Sequence, residues 1–84
     1  MRSQNKGAKK PAYRRSYTVF FLRDKESRGY TAHIPALGIV TEAQTLKEAR
    51  AMARDAIVGR LAVLQELGQP LPTDITPEQM EVPA

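Results

Sequence analysis

The chain has 84 residues, a formal net charge of +4, one histidine and no cysteine. This length accommodates one small domain and excludes a multi-domain enzyme, while the lack of cysteine excludes disulfides and thiolate nucleophiles or metal ligands. No apolar run approaches the roughly 20 residues of a membrane span, and no apolar segment follows the charged N-terminus as in a secretory signal. We therefore expect a cytoplasmic protein that has no contact with a membrane.

The charge is divided between a basic N-terminus and a mildly acidic remainder. Residues 1–15 carry six basic side chains and no acidic one, whereas residues 16–84 carry seven basic and nine acidic ones. Because the N-terminal segment has few large apolar residues, it cannot bury enough surface to offset the entropy of ordering it. We predict a disordered basic arm over residues 1–15 and a folded domain over residues 16–84.

Two interpretations of this arm stay open at this point. Its cations, among them Lys9, Lys10, Arg14 and Arg15, could neutralise the phosphates of a nucleic acid. The arm could equally be a solubilising extension, which the scarcity of base-stacking aromatic residues favours.

Three short strands are predicted in the first half of the domain. The segments YTVFFLR at 17–23 and YTAHI at 30–34 are rich in β-branched and aromatic residues, which favour strands. A polar loop joins them into an antiparallel hairpin. Gly29 is expected to give this loop the backbone conformational freedom that the turn needs. Pro35 and Gly38 then turn the chain into a third strand at 39–41, with a further extension towards residue 43.

A long amphipathic helix is predicted over residues 46–67. Thr45 and Glu48 form a capping-box pattern at its start, and Gly68 followed by Pro70 is typical of a helix end. One apolar stripe recurs at steps of three and four residues. Its members are Leu46, Ala49, Ala53, Ile57, Leu61 and Leu64, widened by Met52, Ala56 and Val63.

The predicted fold class is α+β. Three antiparallel strands are followed by one helix, in the order β-β-β-α, and an optional fourth strand follows the helix in the order β-β-β-α-β. That fourth strand is predicted at Met80–Val82, within an otherwise irregular, proline-punctuated C-terminal segment. One long helix would pack on a sheet of three to four strands.

The first strand is apolar on both faces. Val19 and Phe21 alternate with Phe20 and Leu22, and a single helix covers only one face of a sheet. We predict that Phe20 and Leu22 form an oligomer or partner interface, with a homodimer or homotetramer as the assembly. In the alternative, the apolar residues of the C-terminal segment cover this face and the chain stays monomeric; they are Leu71, Ile75 and Met80.

The sequence contains no pattern typical of a catalytic, cofactor-binding or metal-binding site. His33 lies on a polar strand face with no nucleophile implied nearby, and Asp24 and Glu26 belong to a charged loop that solvation explains. The glycines are isolated, so no phosphate-binding loop is indicated. We therefore expect no enzymatic activity, no cofactor and no metal ion.

Several of these segments together resemble the HicB antitoxin family of bacterial toxin–antitoxin pairs. The resemblance rests on YTVFFLR at 17–23, GYTAHIPALGIVTEAQTLKEARAMARDAI at 29–57 and ELGQPLP at 66–72, and it covers roughly residues 16–73. The family pattern has a Gly-Tyr-x-Ala type strand, a Pro-x-Leu-(Pro)-Gly turn, a Thr-x-Gly-Asp-Thr-Leu-x-Glu-Ala helix start and a later Gly-x-x-x-Pro. This chain departs from it with Ala43-Gln44 in place of Gly-Asp and with a turn that is one residue shorter.

The resemblance implies a partial ribonuclease-H-like fold and a protein-binding function. HicB proteins neutralise a HicA toxin, a small basic ribonuclease that cleaves mRNA, by direct binding. Nuclease activity is not implied, because the first strand lacks the acidic metal ligands of ribonuclease H. Only about a dozen residues follow Pro72, so the chain resembles a short form without the family's C-terminal DNA-binding module.

We expect an antitoxin on these grounds and keep two alternatives. One is a small nucleic-acid-binding protein that acts through residues 1–15. The other is an orphan HicB-like oligomer that has no toxin.

Overall fold

A computed structural model describes residues 15–83 of the chain. The three strands form one antiparallel sheet in the order β1-β2-β3, and the helix packs against one face of that sheet. The predicted α+β class with β-β-β-α order is confirmed. The elements in chain order are β1 (Phe20–Arg23), β2 (Tyr30–Ile34), a 3-10 turn (Pro35–Leu37), β3 (Ile39–Ala43) and α1 (Leu46–Glu66).

Strand β1 is shorter than the sequence predicts. The prediction began the strand at Tyr17, but β1 begins at Phe20. The Tyr17 hydroxyl donates to the carbonyl oxygen of Pro72 at 2.6 Å, and the Thr18 hydroxyl donates to the Asp74 carboxylate at 2.6 Å. The chain ahead of β1 is therefore tied to the segment that follows α1. Local strand propensity carries no information about partners that lie some 55 residues away.

Helix α1 begins at Leu46, where the capping pattern predicts, and ends at Glu66, one residue before the predicted end. The backbone N–H of Glu48 donates to Thr45 Oγ1 at 3.1 Å, which is the first half of the capping box. In the second half of a capping box, the Glu48 carboxylate would accept from the backbone N–H of Thr45. Here it accepts from the backbone N–H of Gln44 instead, at 3.2 Å. After the helix, Gly68 adopts φ +70°, the left-handed conformation expected of a terminating glycine.

The core is small and lies between the sheet and α1. Four residues of the predicted stripe, Ala49, Ala53, Ile57 and Leu61, are buried or pack on the core. Met52 and Val63, which were predicted to widen the stripe, are exposed. The buried apolar side chains are Ala32, Ile34, Leu37, Ala49 and Ala53. Half-buried side chains pack around them, namely Tyr17, Val19, Ile39, Ile57 and Leu61.

The loop between β1 and β2 requires a glycine for a reason other than the predicted one. The residue with left-handed backbone geometry is Arg28, at φ 64°. Gly29 is buried, and a Cβ atom there would lie 2.8 Å from the carbonyl oxygen of Ala43 at the end of β3. Strand β3 therefore leaves no space for a side chain at Gly29, and the prediction of backbone freedom is wrong.

The C-terminal segment forms neither a helix nor a strand. Residues 69–83 are irregular, so the predicted strand at Met80–Val82 is absent from the described part of the chain. Within residues 15–83, the structure contains no helix that is long and apolar enough to cross a membrane.

Candidate protein-interaction site

The sheet has one face that α1 does not cover. Successive strand residues point to opposite faces, so the pairing of Phe21 with Ala32 on the helix side places Phe20 beside His33 on the other side. The same register continues into β3, where Val40 lies beside His33. We call this surface the open face. Its residues are Phe20, Leu22, Thr31, His33, Val40 and Glu42.

The apolar residues of the open face are well exposed. Phe20 is 44% exposed, Leu22 is 56% exposed and Val40 is 59% exposed. Of the C-terminal residues predicted as an alternative cover, Leu71 lies on the helix side of the sheet and Met80 is itself 75% exposed, so neither covers this face. Exposure of several large apolar residues on one face of a sheet is typical of a surface that binds another molecule.

Sequence reasoning identified two of the three apolar residues on this face. Phe20 and Leu22 were predicted from the alternation within the first strand, and the structure places them side by side on the open face. Val40 was missed. Its signal was available, because Val40 alternates with Ile39 and Thr41 in the predicted third strand.

A groove runs between β1 and α1 on the opposite side of the sheet. The helix packs over β2 and β3, which leaves the neighbouring side of β1 partly uncovered and Phe21 36% exposed. We call this the β1–α1 groove; its volume of about 850 Å³ is enough for several side chains. Its apolar lining includes Val19, Phe21, Ile57, Val58, Leu61 and Leu71, and three arginines also line it, Arg15, Arg50 and Arg54.

The structure describes one of the four cations predicted for a nucleic-acid-binding arm. Lys9, Lys10 and Arg14 lie outside the described residues. Arg15 lies at the β1–α1 groove, where its guanidinium donates to the carbonyl oxygen of Pro72 at 3.3 Å. The sequence did not indicate that Arg15 lies near the arginines of α1.

Two carboxyl groups are held in the anionic form by hydrogen bonds. The Thr18 hydroxyl and then the Thr18 backbone N–H lower the pKa of Asp74. The backbone N–H of Glu26 is the main cause that lowers the pKa of Asp24, with Ser27 contributing further. The Asp74 carboxylate thereby joins the C-terminal segment to the chain ahead of β1, and the Asp24 carboxylate stabilises the loop after β1. Within residues 15–83, no three His, Asp or Glu side chains converge on a position that could hold a metal ion.

Comparison with known proteins adds no family assignment. The sequence matches no protein-family model, and no curated protein matches it. Function is therefore inferred from the open face, the β1–α1 groove and the charges around them.

Proposed function

We propose that the chain is a protein-binding module of the antitoxin type that neutralises a HicA-type, mRNA-cleaving toxin by direct binding. The observation that carries the proposal is the open face, where Phe20, Leu22 and Val40 are exposed on a three-stranded sheet. Burying one such side chain contributes roughly 1.5–3 kcal/mol. The three side chains are already about half covered in the free chain, and association itself costs several kcal/mol. A partner that covers all three therefore gains part of the free energy of a specific complex from them, and complementary polar contacts supply the remainder.

The charge of the open face suits a basic partner. Among its six residues, Glu42 carries a negative charge and none is Lys or Arg. The whole segment 16–84 has two more acidic than basic side chains. The toxins that the HicB resemblance implies are small and basic, so opposite charges would accelerate encounter and favour this class of partner. Neutralisation requires only that the open face cover the toxin's active surface, in the cytoplasm where mRNA is cleaved.

We further propose that a homodimer or homotetramer forms when no toxin is bound. Phe20 and Leu22 lie at its interface, and a two-fold axis lets the same patch cover its own copy. Toxin and second copy then compete for one surface. Binding of toxin is therefore expected to change the assembly state as well as the activity of the toxin.

Growth rescue tests the antitoxin function. The chain is co-expressed with the small basic reading frame beside its gene, and rescue of toxin-arrested cells is scored together with co-purification. We expect Leu22→Lys, which places a cation on the open face, to weaken binding by at least about tenfold and to abolish rescue. The matched control is Val63→Lys on α1, which alters a similarly exposed apolar residue (51% exposed) away from the open face and keeps rescue.

The alternatives predict different results from the same material. Rescue that survives Leu22→Lys would contradict binding through the open face. An orphan oligomer would show neither toxicity from the neighbouring frame nor co-purification with its product. A nucleic-acid-binding protein that acts through residues 1–15 would bind a duplex or single strand with a log affinity that falls linearly with log salt concentration.

A further inference from the structure

We propose that the β1–α1 groove binds the C-terminal arm of a second copy of the chain, where the arm is residues 76–83. This surface lies on the helix side of the sheet and is separate from the open face. The inference does not depend on toxin binding.

The groove favours an extended segment that is both apolar and acidic. Phe21 and Leu61 are among the apolar side chains that line it, and the cations of Arg50 and Arg54 lie along its helical wall. Arg50, Arg54 and Val58 recur every four residues, so they follow one face of α1. Within residues 15–83, the outer edge of β1 pairs with no other strand, which leaves its backbone groups available for strand addition.

The C-terminal arm has the complementary properties. Every residue from 76 to 83 is exposed, including Met80 at 75% and Val82 at 73%. In an extended chain, Met80 and Val82 point to the same side, so both can enter one groove. The sequence beyond Arg60 contains no Lys or Arg, whereas the arm itself carries Glu78 and Glu81. An acidic arm beside a groove with three arginines is a favourable electrostatic pairing.

The arm of the same chain does not line the groove, although Leu71 of the same C-terminal segment does. Hydrogen bonds place Pro72 beside Tyr17 and Asp74 beside Thr18, so this segment runs in the same direction as the chain that enters β1. Met80 lies six residues after Asp74, whereas Phe21 lies only three residues after Thr18. At about 3.3 Å per extended residue, Met80 would pass Phe21 by about 10 Å.

An arm from a second copy is not subject to this register. Two arms and two grooves would satisfy each other around a two-fold axis. Because this contact leaves the open face uncovered, association through Phe20 and Leu22 would join two such pairs into a tetramer. Reciprocal exchange also removes two exposed apolar side chains per chain from water, Met80 and Val82.

Light scattering on the full chain tests the exchange. The double variant Met80→Glu, Val82→Glu places two charges where the apolar contacts are expected. We expect the molar mass at micromolar concentration to fall by half, with at least about a tenfold rise in the dissociation constant. The far-ultraviolet circular dichroism should not change, because both side chains are exposed. The control Gln79→Glu adds charge to the arm without altering either apolar residue, and it keeps the parent mass.

A mixing experiment distinguishes a second copy's arm from the chain's own. Val58→Glu impairs the groove at a helix residue that is 61% exposed, and it should also give the lower mass when alone. Mixing it with the arm-defective double variant restores one intact arm and one intact groove. Both variants also carry Leu22→Lys, which removes association through the open face. We then expect a mixed dimer of the two variants, which does not form if each arm occupies its own groove.

Several outcomes would overturn the inference. A parent mass that is monomeric, or one that Leu22→Lys halves while the arm variant leaves it unchanged, would refute arm exchange. Failure of the two variants to associate would contradict exchange of arms between copies. Co-purified nucleic acid that Val58→Glu releases would assign the groove to a nucleic acid instead of the arm.

Discussion

The close approach at Gly29 provides a sharp test of the packing between the hairpin and β3. In Gly29→Ala, the new Cβ atom would lie 2.8 Å from the carbonyl oxygen of Ala43, whereas ordinary contacts begin at 3.4 Å. The conflict of 0.6 Å involves backbone rather than a flexible side chain. Ala43 pairs with Tyr30, so moving its carbonyl disturbs the end of the β2–β3 ladder.

We expect Gly29→Ala to lower the free energy of unfolding by about 1–3 kcal/mol, the usual cost of overpacking a closely packed site. For a domain of this size, each kcal/mol corresponds to roughly 4–8 °C in Tm. The control is the same substitution at Gly59, within α1, where a Cβ atom meets nothing within 4 Å. Gly59→Ala should stabilise the protein by about 0.5–1 kcal/mol, because alanine loses less backbone entropy in a helix.

Urea denaturation followed by circular dichroism measures both variants. All samples are compared at one protein concentration, because any self-association changes the apparent stability. We expect the free energy of unfolding to fall in Gly29→Ala and to rise in Gly59→Ala, although the chemical change is the same. Equal or increased stability in Gly29→Ala would refute the close packing of Gly29 against β3.

Two further predictions concern the core and the C-terminal anchor. Ile57→Asp should lower the free energy of unfolding by about 3 kcal/mol or more and unfold the domain, since it replaces a side chain packed on the core with an unpaired charge; an unchanged thermal melt would refute the orientation of α1. The pKa of Asp74 is lowered in the folded state, so its contribution to stability is present above the unfolded pKa of about 3.9 and is lost as pH falls through the folded value. Asp74→Asn should therefore reduce the difference in Tm between pH 6 and pH 3, and melts at both pH values check it.

The sequence alone determined the elements that depend on local signals. Alternation of apolar and polar residues predicts strand β2 and the longer version of strand β3, which reaches Ala43, where the structure has them. The capping threonine and the apolar stripe predict the start of α1 at Leu46. These signals act within about one helical turn or between adjacent strand residues, so their physical cause is contained in the segment that shows them. The same alternation was sufficient to predict that Phe20 and Leu22 share a face that the helix does not cover.

Only the tertiary structure decided the features that depend on distant partners. The start of β1 is set by the bonds of Tyr17 and Thr18 to residues 72–74, and the need for glycine at position 29 is set by the end of β3. The β1–α1 groove exists because α1 packs over β2 and β3 rather than over the centre of the sheet. Contacts between segments far apart in the chain depend on how the elements dock, and docking is governed by the shape and packing of whole surfaces rather than by the local preferences of residues.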